Sequence, residues 1–500
     1  MSSKWIRRLA LPPILLVILY LVLLIPAPAP PTPAMGVRTP FVWGQDDYWS
    51  VLEDRFRQAR RIGCDDLSDS LNKGLLELDS LVRAVDQVSL DPTAAVFTQL
   101  EAAFFETGIL VAACPQGLPE YLRAFGNLRR SIKDQSLRWD LQSPAAVDCL
   151  YKLLYGGRTA VEEAMLQAAA GSIAELAVES EEPSQTPAAV AYGVEIHSGD
   201  ILISRGGAPT SALIARGSNY PGNFSHSALV HIDDATGVIS IIEAHIECGV
   251  TVSTIEDYLN DTKLRIMVLR PRADLPELNA DPLLPHRVAS YALGQAKSRH
   301  TPYDFAMDTE DHSLLFCSEV VSAAYEQFGV DLWRKASHIS EPGLRSWLSA
   351  FGVRYFTTQE PSDLEYDPQL RVVAEWRDSE ALRQDHLDNA IVDVMLEGAR
   401  RGDRLEYSWF MLPVARVVKL YSVVLNLFGE VGLIPEGMSP TAALQHQWLG
   451  KQHQLAKTEL SVRVAEFEHT NGYTPPYWEL VKMAREVYAH DLPSLNRSSF

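Results

Sequence analysis

From Gly199 to Pro271 the chain breaks into short runs rich in β-branched residues. They are GDILIS (Gly199 to Ser204), SHSALVHI (Ser225 to Ile232), VISIIEAH (Val238 to His245), GVTVS (Gly249 to Ser253) and LRIMVLRP (Leu264 to Pro271). Turn residues bound each run, so each reads as a strand. Helical patterns sit among them at Ser211 to Gly217, Thr254 to Asp261 and Pro285 to Arg299, and YDFAMD, Tyr303 to Asp308, is expected as one more strand. Strands this short are stable only when paired. The pattern therefore predicts a mostly antiparallel sheet with helices segregated around it, an α+β domain.

The texture differs on either side. From about Asp46 to Ala174 apolar residues recur at helical spacing, as in Leu67, Leu71, Leu75, Leu78 and Val82, which predicts a helical bundle. Ala177 to Gly193 loses that period, gains Pro, Ser and Glu, and reads as a linker. Beyond about Glu360 the chain turns helical again. Its most apolar stretch, Trp409 to Gly429, is interrupted by Pro413, Arg416 and Lys419, which argues against a membrane span. A helix packed on the sheet domain is expected there, with a peripheral membrane contact as the alternative.

The N-terminus carries a different signal. Lys4, Arg7 and Arg8 precede the uncharged run Leu9 to Ile25. Its length of about 17 residues is the lower limit for crossing a ~30 Å hydrocarbon core. The basic flank would stay cytoplasmic and the rest of the chain would lie outside. A cleaved signal peptide competes, since Ala27-Pro28-Ala29 has the small-residue pattern. Pro30 follows it, however, and PAPAPPTPAM reads better as a stiff spacer behind an uncleaved anchor. The formal charge of −20 excludes nucleic acid as an expected partner. Cysteine is present 5 times, an odd number (Cys64, Cys114, Cys149, Cys248, Cys317), so a reactive thiol can remain after pairing. Pairing within Cys64, Cys114 and Cys149 is expected.

Reactive residues cluster in the strand region. If Asp233 to Thr236 form the hairpin loop, His226 lies opposite Glu243, with Cβ atoms about 5 Å apart on one face. A carboxylate beside an imidazole fixes its tautomer and raises its basicity. His245 shares the face of Glu243 and is a second candidate for the orienting role. His231, at odd spacing from His226, points to the other face. Zinc held by His226, His231, His245 and Cys248 is disfavoured by that parity and by the lack of a second ligand pair of familiar spacing. In LLFCSEVVSAAY, Leu314 to Tyr325, Cys317 opens an amphipathic helix continued by Val320, Val321, Ala324 and Tyr325. A helix N-terminus favours the thiolate. Burial as an inert thiol is the alternative that the residues alone leave open.

Strand histidine, strand glutamate and helix-opening cysteine, in that order, resemble the circularly permuted NlpC-like branch of the papain superfamily, the YiiX/YebB-like cysteine hydrolases. The matching segments are GDILIS with SALIARG, NFSHSALV, IIEA, GVTVSTIEDYL, TPYDFAMD, FCSEVVSAAY and the closing EYDPQLRVVAEW, over about Gly193 to Trp376. The resemblance implies Cys317 as nucleophile, His226 as general base and Glu243 as the orienting residue, with Tyr303 lining the site and His245 an alternative third member. It implies no cofactor and no metal. The helical flanks have no counterpart in the minimal family domain.

The expected organisation is thus a cytoplasmic tip and transmembrane anchor (1–25), a spacer (26–45), a helical domain (46–176), a linker (177–192), a permuted papain-like domain (193–376) and a helical extension (377–500). The expected protein is a thiol-dependent hydrolase in the inner membrane, single-pass, with its bulk on the periplasmic side. It would cleave a peptide amide, with peptidoglycan stem peptide as the first substrate. A lipid ester or amide, as in lecithin:retinol acyltransferase-like proteins, is the second. A catalytically idle envelope scaffold that binds protein partners is the third reading.

Overall fold

The computed structural model describes residues 17–25, 38–169, 171–178 and 182–490. The basic flank Lys4 to Arg8, the apolar residues before Val17 and the spacer residues 26–37 lie outside the described part. Residues 17–23 are helical, and their side chains are exposed or half-buried.

The N-terminal flank is an all-helical bundle of α1 (Asp46–Ile62), α2 (Cys64–Asp86), α3 (Ala95–Ala113), α4 (Leu118–Ser136), α5 (Pro144–Leu150) and α6 (Gly156–Leu166). The leucine period read in the sequence becomes its core: Leu67, Leu71, Leu78 and Val82 are buried on α2. Although α3 is apolar enough to cross a membrane by length and composition, it places Phe97, Leu100, Phe104 and Val111 in this core. A disulfide joins Cys64 at the start of α2 to Cys114 just after α3. Cys149, Cys248 and Cys317 are free, so Cys317 is not the sole unpaired thiol that odd parity suggested.

Among the described residues the main sheet has seven strands, all antiparallel, in the order β1-β9-β8-β4-β5-β6-β7. They are β1 (Leu176–Val178), β4 (Ile201–Gly206), β5 (His226–Ile232), β6 (Ile239–His245), β7 (Gly249–Thr254), β8 (Lys263–Pro271) and β9 (Leu370–Trp376), while β2 (Ala188–Ala191) and β3 (Val194–His197) form a separate ribbon. Part of the expected linker is therefore strand: β1 closes the sheet edge on β9, and β2 pairs with β3. The strands are short apolar runs, Leu-Ala-Val and Ala-Ala-Val-Ala, set between the polar and proline residues of that stretch. Between the strands run α7 (Pro209–Arg216), α8 (Ile255–Asn260), α9 (Leu284–Ser298) and α10 (Cys317–Glu326). One face packs Leu229, Ile242, Ile201 and Met267 against α9 and α10. The other packs Ala228, Val230, Ile241 and Val268 against Tyr258 and the β2–β3 ribbon.

YDFAMD is not a strand. Asp304 Oδ1 accepts the N–H of Ala306 at 2.8 Å and its Oδ2 that of Asp308 at 2.6 Å, and Met307 takes φ +60°. An aspartate that holds its own downstream backbone offers an alternative to the ladder, and here it prevails.

Helix α11 (Pro342–Phe351) precedes β9, and the C-terminal flank comprises α12 (Ser379–Arg401), α13 (Leu412–Leu427), α14 (Pro440–Asn471) and α15 (Tyr477–His490). Buried charges bind it and the bundle to the sheet. Arg158 of α6 donates to Glu365 at 2.9 Å and contacts Glu375 of β9; Arg265 of β8 donates to Glu162 of α6 at 2.9 Å and to Asp385 of α12. Arg205 of β4 lies 3.1 Å from Asp385. Burying charges is costly unless partners surround them, so these pairs fix how the three regions dock.

Candidate active site

The β5–β6 connection is longer than the sequence reading assumed. Asp233 Oδ1 accepts the N–H groups of Ala235 and Thr236 and the Thr236 hydroxyl, and Gly237 takes φ +68°. The Asp233 N–H donates to the Val238 carbonyl at 3.1 Å, Ile232 pairs with Ile239, and Glu243 faces Ala228 instead of His226. The expected register is wrong by two residues. An even slip preserves the face, so His226 and Glu243 remain neighbours on a diagonal.

They meet directly. His226 Nε2 lies 2.7 Å from Glu243 Oε2. The other carboxylate oxygen accepts the Ser253 hydroxyl at 2.6 Å and stands 3.2 Å from His245 Nε2. Glu243 is 1% exposed. Burial alone would raise its pKa, but the hydrogen bonds from His226 and His245 hold it well below the usual carboxylate range. His245 therefore touches the same carboxylate as His226, and Ser253 of β7 completes its contacts. Tyr258 flanks the His226 ring at 6.4 Å.

Cys317 is the first residue of α10 and is buried. Phe316 has no side-chain acceptor, so the helix start is closed from one side only: Glu319 Oε2 accepts the N–H of Phe316 at 3.1 Å. Helix α10 packs its apolar stripe on the Leu229–Ile242 face, and its N-terminus reaches the beginning of β5, where His226 stands. With Nε2 turned to Glu243, Nδ1 is the ring nitrogen left for the thiol. Burial pushes the Cys317 thiol up, but the hydrogen bond and charge of His226, the N–H of Ser227 and the Ser318 hydroxyl outweigh it, and the pKa falls below its ordinary value. For His226, burial pulls down while Cys317 and Glu243 pull up more strongly, and its pKa rises to about 9. Both shifts favour a thiolate–imidazolium pair.

Other residues singled out from the sequence fall in and out of this cluster. Tyr303 lines the cavity that Cys317 opens into, its ring against Phe305 at 5.2 Å. His231 points to the opposite face, as parity required, and stacks on His286 of α9 at 5.4 Å. Cys248 sits in the turn after β6 and is half-buried. Donor atoms of His226, Glu243 and His245 lie within 4.8 Å of one another, a set of the kind that binds divalent cations. Glu243 already accepts hydrogen bonds on both oxygens there.

The cavity at Cys317 is about 110 Å³. Its wall is mainly apolar, with Leu213, Ile246, Phe305, Phe316 and Phe351 among its residues; Asp304 and Glu360 bring carboxyls, no lysine or arginine lines it among the described residues, and the C-terminal flank contributes Met438 and His446. The sequence could not assign those two to the site, because they follow Cys317 by more than a hundred residues. Burial raises the Glu360 carboxyl in this wall to about 8. A larger cavity of about 300 Å³, lined by Trp43, Trp49, Phe105 and Trp478, lies between the bundle and α15 and contains none of the Cys317 cluster.

Residues 195–374 match the family described as permuted papain-like amidase enzyme, YaeF/YiiX, C92 family. Among solved structures, the metalloprotein YiiX from Escherichia coli O157:H7 is similar at 18% identity, covering 35% of this chain and 95% of that one with a TM-score of 0.29. No curated protein matches. The match begins at β3 and ends in β9, and it includes both the His226 strand and the Cys317 helix. The segment 195–374 is a permuted papain-like cysteine hydrolase domain of the YaeF/YiiX family, carried between helical flanks.

Proposed function

We propose that Cys317, His226 and Glu243 are the catalytic residues of a membrane-anchored thiol hydrolase that cleaves an amide bond by way of an acyl-enzyme. The observation that carries this is the unbroken chain from the lowered Cys317 thiol through His226 to the buried Glu243 carboxylate. His226 takes the thiol proton, and the thiolate attacks the carbonyl carbon. The N–H of Cys317, in the first turn of α10, is placed to receive the developing oxyanion. His226 protonates the departing amine as the C–N bond breaks, leaving a thioester on Cys317. Water, deprotonated by His226, then releases the acid. Glu243 keeps the imidazole oriented, with Ser253 and His245 holding Glu243 in turn.

The N-terminal apolar segment would anchor the chain with its bulk outside the cytoplasm. The Cys64–Cys114 disulfide supports that side, since disulfides persist in oxidising compartments. A peptide amide such as a cell-wall stem peptide is one substrate class. A lipid amide or ester is the second, and it is supported by a mainly apolar cavity wall that among the described residues carries the carboxyls Asp304 and Glu360 and no lysine or arginine, which suits an alkyl chain better than an acidic peptide. A thiol-directed activity probe should modify Cys317 in the native protein and leave His226→Ala unlabelled; equal labelling of both would sink the base assignment. Incubation with muropeptides and with phospholipids, read by mass spectrometry, separates the substrates. No turnover on either, with no probe labelling, would favour an idle scaffold.

A further inference from the structure

Helix α13 buries only one side. Leu412, Ala415 and Ser422 face inward, where Ala415 packs on Ile434, Met438 and Ala442. The outward side carries Phe410, Val414, Val417, Tyr421, Val424 and Phe428, spaced alternately by four and three residues, a continuous helical stripe. Leu427 and Phe428 at its end are 79% and 80% exposed. Soluble surfaces rarely present so long a bare apolar patch.

The charges of this stretch are turned away from the stripe. Between Trp409 and Phe428 only Arg416 and Lys419 are ionisable cations and no carboxylate occurs. Lys419 donates to the carbonyls of Pro435 and Glu436 at 2.6 and 2.7 Å. Arg416 donates to the carbonyls of Leu23 and Ile25 at 2.9 and 2.6 Å, and the Tyr20 hydroxyl donates to the Phe410 carbonyl at 3.1 Å. Arg416 thus closes the C-terminal end of the helical segment 17–23, whose carbonyls have no helical partner of their own. The apolar N-terminal segment and the apolar stripe therefore form one surface.

We propose that the outward face of α13 is a membrane-docking surface that lies in the lipid interface beside the N-terminal anchor. The occupant is the bilayer. An uncharged stripe with aromatic residues at its start and end, flanked by cations bound to backbone, suits the headgroup–acyl boundary, and a helix packed on protein along its other side lies in that boundary instead of crossing it. Phe305, Phe351 and Met438, which support α13 from inside, also line the Cys317 cavity, so the helix that touches the lipid packs on the wall of the cavity that holds the thiol. This inference rests on the anchoring proposed above.

The test uses the full chain in vesicles of phosphatidylethanolamine and phosphatidylglycerol. Val424→Cys, in a Cys149→Ser, Cys248→Ser, Cys317→Ser background, carries an environment-sensitive fluorophore; Glu466→Cys on α14 is the control, and Leu427→Cys repeats the measurement should Val424→Cys misfold. The Val424 label is expected to shift to the blue on vesicle binding and to lose about half its emission to a shallow doxyl phospholipid, while the Glu466 label is unaffected. Vesicles that float with the protein but leave the Val424 label in water overturn the docking and leave the anchor standing. Protein that does not float overturns the anchor and the docking together. A blue shift that grows with protein concentration before vesicles are added assigns the face to a second copy and overturns the proposal.

Discussion

Cys149 and Cys317 are both free, both buried, and 8% and 5% exposed. Their chemistry is opposite. Burial pushes the Cys149 thiol up to about 12, and the negative charges of Glu101 and Asp148 add to it against Lys152. Cys317 suffers the same burial and still falls below its ordinary value, because an imidazole and the N–H of Ser227 face its sulfur. Position on the helix differs too: Cys317 is the first residue of α10, where unpaired N–H groups favour an anion, whereas Cys149 lies inside a helical run that continues from α5 through Tyr151–Tyr155 into α6. Burial thus does not separate an inert cysteine from a nucleophile; what faces the sulfur does.

The sharpest way to break this contrast is alkylation at pH 7. A thiol with pKa about 12 is almost wholly protonated there, so Cys317 should react with iodoacetamide at least ~10³-fold faster than Cys149. Cys317→Ala should abolish turnover by roughly 10⁴-fold or more, whereas Cys149→Ala should leave it unchanged. Comparable labelling of both cysteines, by peptide mapping, would erase the distinction.

Replacing His226 by Ala should lower turnover by about 10²–10⁴-fold. It should also return Cys317 toward a buried thiol, so that alkylation at pH 6 is lost but recovers in alkali. The leaving group needs protonated His226, so kcat/KM should fall on the alkaline side as pH passes about 9. The folded pKa of His226 lies above its unfolded value of ~6.5. Its contribution to stability is therefore complete below that value and disappears as pH rises through about 9. An alkaline limb near 7 would mean that Cys317 and Glu243 do not hold the imidazolium.

Glu243→Gln keeps an acceptor but removes the charge. The loss of a charge-assisted hydrogen bond of ~1.5–3 kcal/mol corresponds to about 10- to 100-fold in turnover, and the alkaline limb should move to lower pH. The smallest effect on reactivity is expected from the disulfide. Closing a loop with sequence separation 50 is worth about 4 kcal/mol in the chain-entropy account. Cys64→Ser with Cys114→Ser should therefore lower the melting temperature while Cys317 alkylation stays the same.

An even shift in hairpin register leaves a pair of side chains on one face. The assumed hairpin put His226 opposite Glu243; the longer Asp233–Val238 connection moved the partner to Ala228. The pair survived because side chains alternate with period two and the error was even. Ser253 was not legible, since nothing local to VISIIEAH says which strand lies beside it. The expected strand at YDFAMD failed for a nearby reason: Asp304 satisfies the backbone of Ala306 and Asp308 itself. Met438 and His446 reach the cavity because the C-terminal flank docks on the sheet domain, through buried pairs such as Arg205–Asp385 and the apolar packing of Leu213 and Trp347 against α12 and α14.

By itself the sequence determined the period of each element, the order histidine–glutamate–cysteine, the face that each strand residue takes, and Cys317 at a helix start. These depend on local geometry, which a few consecutive residues fix. The tertiary structure alone decided that His226 meets Cys317 around the end of β5, that His245 and Ser253 converge on Glu243, and that α3 is buried while α13 keeps an apolar face bare. Those outcomes depend on which distant surfaces dock, and docking is settled by the whole molecule's burial of apolar area and pairing of charge.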